Sequence, residues 1–150
     1  MENTLVLLKP DAVAKGVCGD IITRFEKRGL KIIGMKMMHL SREEAAVHYS
    51  EHRDKPFFDA LVNFIISGPL VAIVVRGENA VKLIRTMMGS TNPSDAAPGT
   101  IRGDLATNIR NNIIHGSDGL VSAQREINVF FNDNELCKEV THESLYKDRG

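Results

Sequence analysis

An uninterrupted run of apolar residues near the middle of the chain limits the possible folds more than any other feature. Leu70 to Val75 contains no polar residue, and it is bounded by Gly68-Pro69 on one side and Arg76-Gly77 on the other. A short apolar run between turn signals is typical of a strand that is buried on both faces. We therefore expect Leu70 to Val75 to form a central strand of a sheet.

Other segments have the periodicities of further strands and of helices. Thr4 to Leu8 and Leu30 to Leu40 are predicted to be strands, and Lys9-Pro10-Asp11 ends the first of them. Helical spacing of apolar residues, with capping and stop signals, occurs at Asp20 to Arg28, from Ser41 onward, at Phe57 to Ile66, at Glu78 to Met88 and after the turn Gly116 to Gly119. Taken alone, this alternation of strands and helices favours a parallel sheet.

The strand predicted at Leu30 to Leu40 carries Ile33, Met35 and Met37 at alternating positions. Alternate residues of a strand point to the same face, and methionine is a flexible side chain that fills irregular gaps in a core. We expect these three side chains to face the interior.

Length and charge favour a single domain without a general affinity for polyanions. We expect residues 1–150 to form one domain, with a polar C-terminal tail from about residue 132 that wraps the domain or reaches a neighbouring subunit. Lys plus Arg number 19 and Asp plus Glu number 19. No overall positive field therefore draws the protein to nucleic acid or to a membrane, and any anion site must be local.

Cysteine spacing and the first apolar run bear on the cellular compartment. Cys18 and Cys137 lack both metal-ligand spacing and the density of a disulfide framework, so we expect free thiols in a reducing compartment. Leu5 to Leu8 is too short for a signal-peptide core or a membrane span. We expect a cytoplasmic protein that does not associate with membranes.

His115 is the leading candidate for a reactive residue. Two β-branched apolar residues precede it and Gly116-Ser117-Asp118 follows it, which predicts an imidazole at the end of a short buried strand. A lone histidine at the rim of a core is most often a hydrogen-bonded packing residue. Imidazole can nevertheless act as a nucleophile near neutral pH without a separate base. Its role therefore depends on the residues that surround it.

Cationic and hydroxyl side chains elsewhere are suited to hold phosphate oxygens. Lys9 follows the first strand, and Arg85 borders the apolar stripe of a helix, where either could also be an ordinary solvated residue. Thr91 and Arg102 lie in the stretch Gly89 to Asp104, which is rich in turn-forming residues. We expect that stretch to be a long functional loop.

Two further groups have competing interpretations. Glu126 borders the apolar stripe of the last helix, where its carboxylate could orient an imidazole or a serine, or could pair with Arg125 or solvent. His48 and His52 have a spacing that two metal ligands could use, but no third ligand is near them in the sequence. We expect an exposed helix end there rather than a zinc site.

With these residues identified, the chain closely resembles the nucleoside diphosphate kinases. The resemblance is carried by the segments Leu8-Lys9-Pro10-Asp11, Pro56-Phe57-Phe58, Thr91-Asn92-Pro93, Pro98-Gly99-Thr100-Ile101-Arg102-Gly103-Asp104 and Asn112-Ile113-Ile114-His115-Gly116-Ser117-Asp118. They occur collinearly over roughly nine tenths of the chain, so the match is more specific than any single short motif.

The resemblance implies an enzyme, a nucleoside-diphosphate kinase with ping-pong kinetics. His115 would take the γ-phosphoryl group of a nucleoside triphosphate, become phosphohistidine, and pass the group to a nucleoside diphosphate. ATP, GTP, GDP and other nucleotides would all serve, because stacking on an aromatic ring discriminates little between bases. Mg²⁺ is expected as the cofactor, carried mainly by the nucleotide phosphates and not by a protein metal site.

The resemblance also implies roles for individual residues. The residues implied in catalysis are His115, Glu126, Ser117, Tyr49 and Lys9. The residues implied in nucleotide binding are Lys9, Phe57, Leu61, Arg85, Thr91, Arg102 and Asn112. Phe57 would stack on the base, and Ser117 with Glu126 would support the histidine. Fixed cations suit the reaction, since a transferring phosphoryl group spreads negative charge over three oxygens.

For the fold, the resemblance overrules the parallel sheet that periodicity favours. It implies an α/β sandwich of the α+β kind, with ferredoxin-like βαββαβ order and a four-stranded antiparallel sheet covered by helices. It also implies a homo-oligomer, with a hexamer favoured over a tetramer.

The chain departs from the family pattern at a few positions. Gly119 stands where the family usually has serine, and Val75, Phe130 and Ser144 stand where many members carry tryptophan. We therefore expect local differences in packing, and the change in the tail leaves the number of subunits open.

Two other classes of function compete with the enzyme. A regulatory or partner-binding scaffold could use the same fold, but it would not need His115 and its cations, which are all present. A nucleic-acid-binding role receives no support from the neutral charge.

Overall fold

A four-stranded sheet covered by helices makes up the fold in the computed structural model, which describes residues 1–138. The strands are β1 (Glu2–Leu8), β2 (Lys31–Met38), β3 (Leu70–Gly77) and β4 (Ile114–Gly116). The helices are α1 (Pro10–Lys15), α2 (Cys18–Lys27), α3 (Arg42–His48), α4 (Phe58–Ile65), α5 (Ala80–Met88), α6 (Ile101–Leu105) and α7 (Leu120–Phe130). Short 3-10 turns lie at Ser50–His52, Pro93–Asp95 and Asp133–Glu135.

The strand order in the sheet is β2-β3-β1-β4, and each neighbouring pair is antiparallel. The ferredoxin-like arrangement implied by the resemblance is confirmed, and the parallel sheet favoured by periodicity is wrong. β1 and β2 do run in the same direction, as a strand-helix-strand unit requires, but β3 lies between them. β1 likewise separates β3 from β4, so each unit is split by an inserted strand.

The core has two layers, one on each face of the sheet. Alternate residues of β1 supply both: Val6 and Leu8 pack with α2 and α5, while Leu5 and Leu7 pack with α4 and α7. All four side chains are fully buried, and burial of a leucine or valine contributes about 1.5 to 3 kcal/mol. The run Leu70 to Val75 forms most of β3, which pairs with strands on both sides, so the predicted central strand is confirmed.

The prediction that Met35 and Met37 fill the core is wrong. Their side chains are 54% and 61% exposed, whereas Ile33 is buried. The register of β2 against β3 shifts between Ile32 and Gly34, so Ile33 is an extra residue in the strand. This bulge reverses the alternation, because it turns Ile33 and the later methionines to opposite faces of an edge strand.

Helix boundaries follow the capping chemistry that the sequence predicts. The Ser41 side chain accepts a hydrogen bond from the Glu44 N–H, and the Glu44 carboxylate accepts one from the Ser41 N–H, at the start of α3. The stretch Gly89 to Asp104 is not a plain loop, because it contains a 3-10 turn and the first residues of α6. There the hydroxyl of Thr100 accepts from the Gly103 N–H and caps α6.

The remaining expectations concern the departures, the thiols and the tail. Val75 and Phe130, two of the departures noted in the sequence, are buried in the two core layers, while Ser144 and the tail beyond Lys138 lie outside the described residues. Cys18 and Cys137 are free thiols. Within residues 1–138, no helix has the length and apolar character needed to cross a membrane.

Candidate active site

His115 is the middle residue of the short strand β4, where it lies opposite Leu7 of β1. Its Nε2 is 2.7 Å from Oε1 of Glu126, and the Ser117 hydroxyl donates to the same oxygen at 2.9 Å. A carboxylate accepts hydrogen bonds, so the neutral ring carries its proton on Nε2. The lone pair of a neutral His115 is therefore on Nδ1.

Glu126 projects from α7 and is 4% exposed. Burial raises the pKa of this carboxyl, but the hydrogen bonds from His115 and Ser117 and the charge of His115 outweigh it and hold the pKa below its usual range. Glu126 is thus an anion at neutral pH, which stabilises positive charge on the imidazole and fixes its orientation.

Lys9 lies between the end of β1 and α1, and its ammonium donates to Oδ1 of Asn112. The side-chain amide of Asn112 donates in turn to the backbone carbonyl of Thr91 at 3.1 Å. Burial lowers the pKa of Lys9 to about 8, against a smaller raising effect of the Asp11 charge. The lysine is therefore a poorly solvated cation close to Asn112 and the Thr91 backbone.

Arg102 is the most firmly anchored cation of the site, with an exposed fraction of 5%. Its Nε donates to the Asn112 carbonyl at 3.2 Å, and its terminal nitrogens donate to the carbonyls of Gly89 at 3.2 Å and Ile114 at 2.6 Å. Burial, with the nearby charge of Arg85, lowers the pKa of Arg102 to about 10. A guanidinium has five N–H groups, so two remain for an anion.

Arg85, on α5, is held more loosely. It donates to the Gly116 carbonyl at 3.1 Å and pairs with Asp118 at 2.9 Å, in an ion pair whose side chains are 40% and 79% exposed. An exposed pair of this kind contributes about 1 kcal/mol or less, so an anion that enters the cavity can displace Asp118 at small cost.

An aromatic and apolar wall closes the other end. Phe57 is 47% exposed, with the Lys55 ammonium 5.8 Å from its ring centroid and the His52 ring at 5.6 Å. Leu61 lies on the next turn of α4. Tyr49 is mostly buried, and burial raises its pKa to about 12, so its hydroxyl stays neutral.

The structure brings the predicted site residues together around one open cavity of about 310 Å³. Those that line it are Lys9, Tyr49, Phe57, Leu61, Arg85, Thr91, Arg102, Asn112, His115 and Glu126. Ser117 is buried behind Glu126. Residues 1–138 contain no group of three His, Cys, Asp or Glu side chains that could hold a metal ion.

His48 and Asp118 also line the cavity, although the sequence did not predict a role for either residue. The expectation of an exposed helix end at His48 is wrong, because the residue is 4% exposed and its ring meets that of His115 edge-on at 4.9 Å. Burial lowers the pKa of His48 to about 3, so the ring is neutral. A sequence signal existed, since His48 follows the buried Ala45 by three residues on α3.

The chain is similar to known proteins over nearly its whole length. The family model for nucleoside diphosphate kinase matches residues 2–136. A nucleoside diphosphate kinase of Archaeoglobus fulgidus is 51% identical over 99% of this chain and 100% of its own, and one of Staphylococcus carnosus is 55% identical over 91% of each. The solved structure of a halophilic nucleoside diphosphate kinase from Halobacterium salinarum, in complex with CDP, has a TM-score of 0.91 and 49% identity over 97% of each chain.

Proposed function

The chain belongs to the nucleoside diphosphate kinase family and is a phosphotransferase of that kind, and on this premise we propose how its own residues carry out the transfer. His115 is the nucleophile, and it reacts through Nδ1. The observation that carries this assignment is the contact of Nε2 with Glu126. Because Nε2 is engaged in this hydrogen bond, Nδ1 is the nitrogen whose lone pair is free to react. A regulatory or partner-binding scaffold is not favoured, because it would have no use for this arrangement.

The reaction has two displacements at phosphorus. The Nδ1 lone pair of His115 attacks the γ-phosphorus of a nucleoside triphosphate, the bond to the β-phosphate oxygen breaks, and the diphosphate leaves. A terminal phosphate oxygen of a different nucleoside diphosphate then attacks the phosphohistidine, the P–N bond breaks, and the ring electrons return to Nδ1. Glu126 stabilises the positive charge of the phosphorylated imidazole, and Ser117 holds that carboxylate in place.

Lys9, Arg85 and Arg102 hold the phosphates, with Thr91 and Asn112 beside them. The forked donors of the arginines match phosphate oxygens bidentately, whereas the lysine acts as a point charge. Tyr49 supplies a neutral hydroxyl near the histidine. Phe57 stacks on the base and Leu61 packs beside it. A π-face is common to all bases, so broad base specificity follows.

Mg²⁺ is the cofactor we propose, and the donor set of the cavity fits an ion that arrives with the nucleotide. Oε1 of Glu126 accepts from His115 and Ser117 and Oε2 is 3.8 Å from the Arg125 guanidinium, and residues 1–138 contain no cluster of protein metal ligands. Mg²⁺ commonly keeps several waters and binds phosphate oxygens with few protein ligands. When bound, it neutralises part of the phosphate charge.

Assembly and location complete the proposal. Residues 1–150 form one domain, which works as a homo-oligomer in the cytoplasm, and we favour a hexamer over a tetramer. Exposed apolar side chains on the edge strand β2, Met35 and Met37, support an association surface. Light scattering coupled to gel filtration measures the number of subunits directly.

Transfer of label tests the assignment of His115. Wild-type protein incubated with ATP labelled at the γ-phosphate is expected to acquire an acid-labile label that passes to added GDP, and chromatography of an alkaline digest is expected to find it on Nδ1. His115→Ala should take no label. His39→Ala is the matched control, because the exposed His39 lies away from the cavity against the Ile66 carbonyl. Folded wild-type protein that takes no label, or label that persists in His115→Ala, would overturn the proposal.

A further inference from the structure

The turn immediately before His115 is strained. Ile113 has a φ of +59°, in the left-handed region, and its side chain is only 2% exposed. A β-branched residue in this region is an outlier, because its Cβ crowds the following carbonyl. Such a conformation persists only where surrounding contacts impose it, and conformations of this kind concentrate at functional sites.

Three hydrogen bonds hold the strained residue in place. The Ile113 carbonyl accepts from the Lys9 N–H at 2.9 Å, and the Ile114 N–H donates to the Asn112 carbonyl at 2.7 Å. The third is the Ile113 N–H, which donates to Oδ2 of Asp11 at 3.0 Å. The first two bonds join backbone groups, and only the third involves a side chain, that of Asp11. A substitution of Asp11 can therefore remove one bond and leave the other two in place.

Asp11 is well placed to impose this geometry. It lies in the first turn of α1, directly after Pro10, whose ring fixes the backbone φ. Its second oxygen, Oδ1, is buried and has no hydrogen-bond partner in the described part of the chain. The carboxylate thus makes its hydrogen bond to the turn although its other oxygen is unsatisfied.

The turn positions several groups of the site at once. Asn112, on one side of Ile113, orients Lys9 through its side chain and accepts from Arg102 through its backbone. Ile114, on the other side, also accepts from Arg102 and leads directly to His115. A rotation of the peptide at Ile113 would therefore disturb the nucleophile and two cations together.

We propose that Asp11 is a positioning residue for phosphoryl transfer, which acts by holding Ile113 in its left-handed conformation and thereby fixes His115 and the donors around it. This inference rests on the proposed function of His115. Asp11 is not among the residues that line the cavity, so it acts through the turn and not by direct contact with the reacting groups. What it supplies to the turn is an acceptor oxygen at one place, and this contact does not require the negative charge, whose separate effect is to raise the pKa of Lys9.

Three substitutions separate the position of the oxygen from its charge. Asp11→Asn keeps an acceptor of the same reach and removes the charge. Well below the Lys9 pKa of about 8, where Lys9 stays protonated without that charge, phosphoenzyme formation is expected to stay within about threefold of wild type. Asp11→Glu keeps the charge but moves the carboxylate by one methylene, and Asp11→Ala removes it. Both should slow phosphoenzyme formation and kcat by about ten- to hundredfold, since each leaves a buried N–H without its partner.

The matched control is Asp59→Ala. Asp59 is an exposed aspartate in the first turn of α4, so its loss removes the same charge from a helix N-terminus without touching the Ile113 turn. It should leave phosphoenzyme formation unchanged. The amide resonance of Ile113 gives a second readout, with slow hydrogen exchange expected in wild type and Asp11→Asn and faster exchange in Asp11→Glu.

The opposite order of activities would overturn the inference. If Asp11→Glu keeps its activity while Asp11→Asn loses it, the charge matters and the positioning role is wrong, and the same holds if both keep it. The comparison of Asn with Glu does not depend on whether Asp11→Ala folds. Failure of the proposed function is a different result, because wild-type protein would then take no label at all.

Discussion

The two ends of the cavity are built in different ways. At the end around Arg102 and His115, buried side chains are tied to backbone carbonyls and to each other by many hydrogen bonds. At the end around Phe57, an exposed ring is flanked by Lys55 and His52 at more than 5 Å. Under the proposed function, the first end is pre-organised for one geometry of phosphate, whereas the second offers a face to any flat ring. The more firmly hydrogen-bonded end is therefore the one at which we propose that phosphoryl transfer takes place.

Substitution of Arg102 should give the largest effect and tests whether the rigid end depends on its anchoring. Arg102→Ala removes three hydrogen bonds to backbone carbonyls and, with them, the phosphate contact that we propose for this side chain. We expect kcat/KM to fall by about a hundredfold or more and the free energy of unfolding by about 2 to 4 kcal/mol, in steady-state assays and denaturant titration.

Arg85→Ala is the matched control for Arg102→Ala, because Arg85 is an exposed cation of the same cavity. Its loss should lower kcat/KM by about tenfold or more but change the free energy of unfolding by less than about 0.5 kcal/mol. Equal losses of stability in the two variants would contradict the difference in anchoring.

A change of pH sharpens the comparison through Lys9, whose pKa burial lowers to about 8. As pH rises above this value, the cation is lost, and kcat/KM should fall about tenfold per pH unit. A lysine with the ordinary pKa of about 10.5 would cause no fall until that higher pH. Stability should move the other way. The unfolded chain keeps the lysine proton up to about 10.5, so unfolding free energy rises with pH between the two values.

Lys9→Met provides the control for this pH dependence. The variant should have a low kcat/KM that does not fall as pH rises through 8. Its free energy of unfolding should not show the rise between pH 8 and 10.5 that we expect for the wild type. An unchanged alkaline limb in Lys9→Met would assign the titration to another group.

Removal of the Phe57 ring should have a smaller effect, confined to binding. Phe57→Ala is expected to raise KM by about five- to tenfold for both ATP and GTP, with kcat within about twofold, since stacking of a base contributes about 1 to 3 kcal/mol and this ring is half exposed. A fall in kcat as large as that of Arg102→Ala would show that the two ends are not organised differently.

Gly119 offers the smallest change and a test outside the cavity chemistry. The residue precedes α7, which carries Glu126, and a side chain there would meet open space. Gly119→Ser should raise the free energy of unfolding by a few tenths of a kcal/mol through an N-cap hydrogen bond. Denaturant titration measures this, and kcat/KM should be unchanged because the Glu126 contacts are already formed.

The sequence was most informative where residue identity alone determines a role. The family segments predicted which side chains surround His115, and Leu70 to Val75 predicted the central strand. Periodicity could not predict the sheet order, because a strand-helix-strand unit has the same pattern whether or not another strand is inserted. The bulge at Ile33 leaves no signal in an alternating pattern either, so the alternation predicts the wrong face for Met35 and Met37.

Contacts that depend on tertiary structure cannot be predicted from the sequence pattern. Only the assembled fold packs the buried His48 against His115, and only it determines that Nε2 contacts Glu126. The positive φ of Ile113 has no signal in the sequence, because isoleucine is typical of an ordinary β-strand.

The pairing of β1 with β4 has a consequence for the order of folding. The Leu5 carbonyl, near the start of the chain, accepts from the Ser117 N–H, and the Leu5 N–H donates to the Ser117 hydroxyl, across a sequence separation of 112 residues. Contacts of such separation form late and slowly, because a long loop must close first. During synthesis, His115 can contact Glu126 only after α7 has left the ribosome. The pair therefore forms as one of the last steps, and a fragment that ends before α7 lacks it.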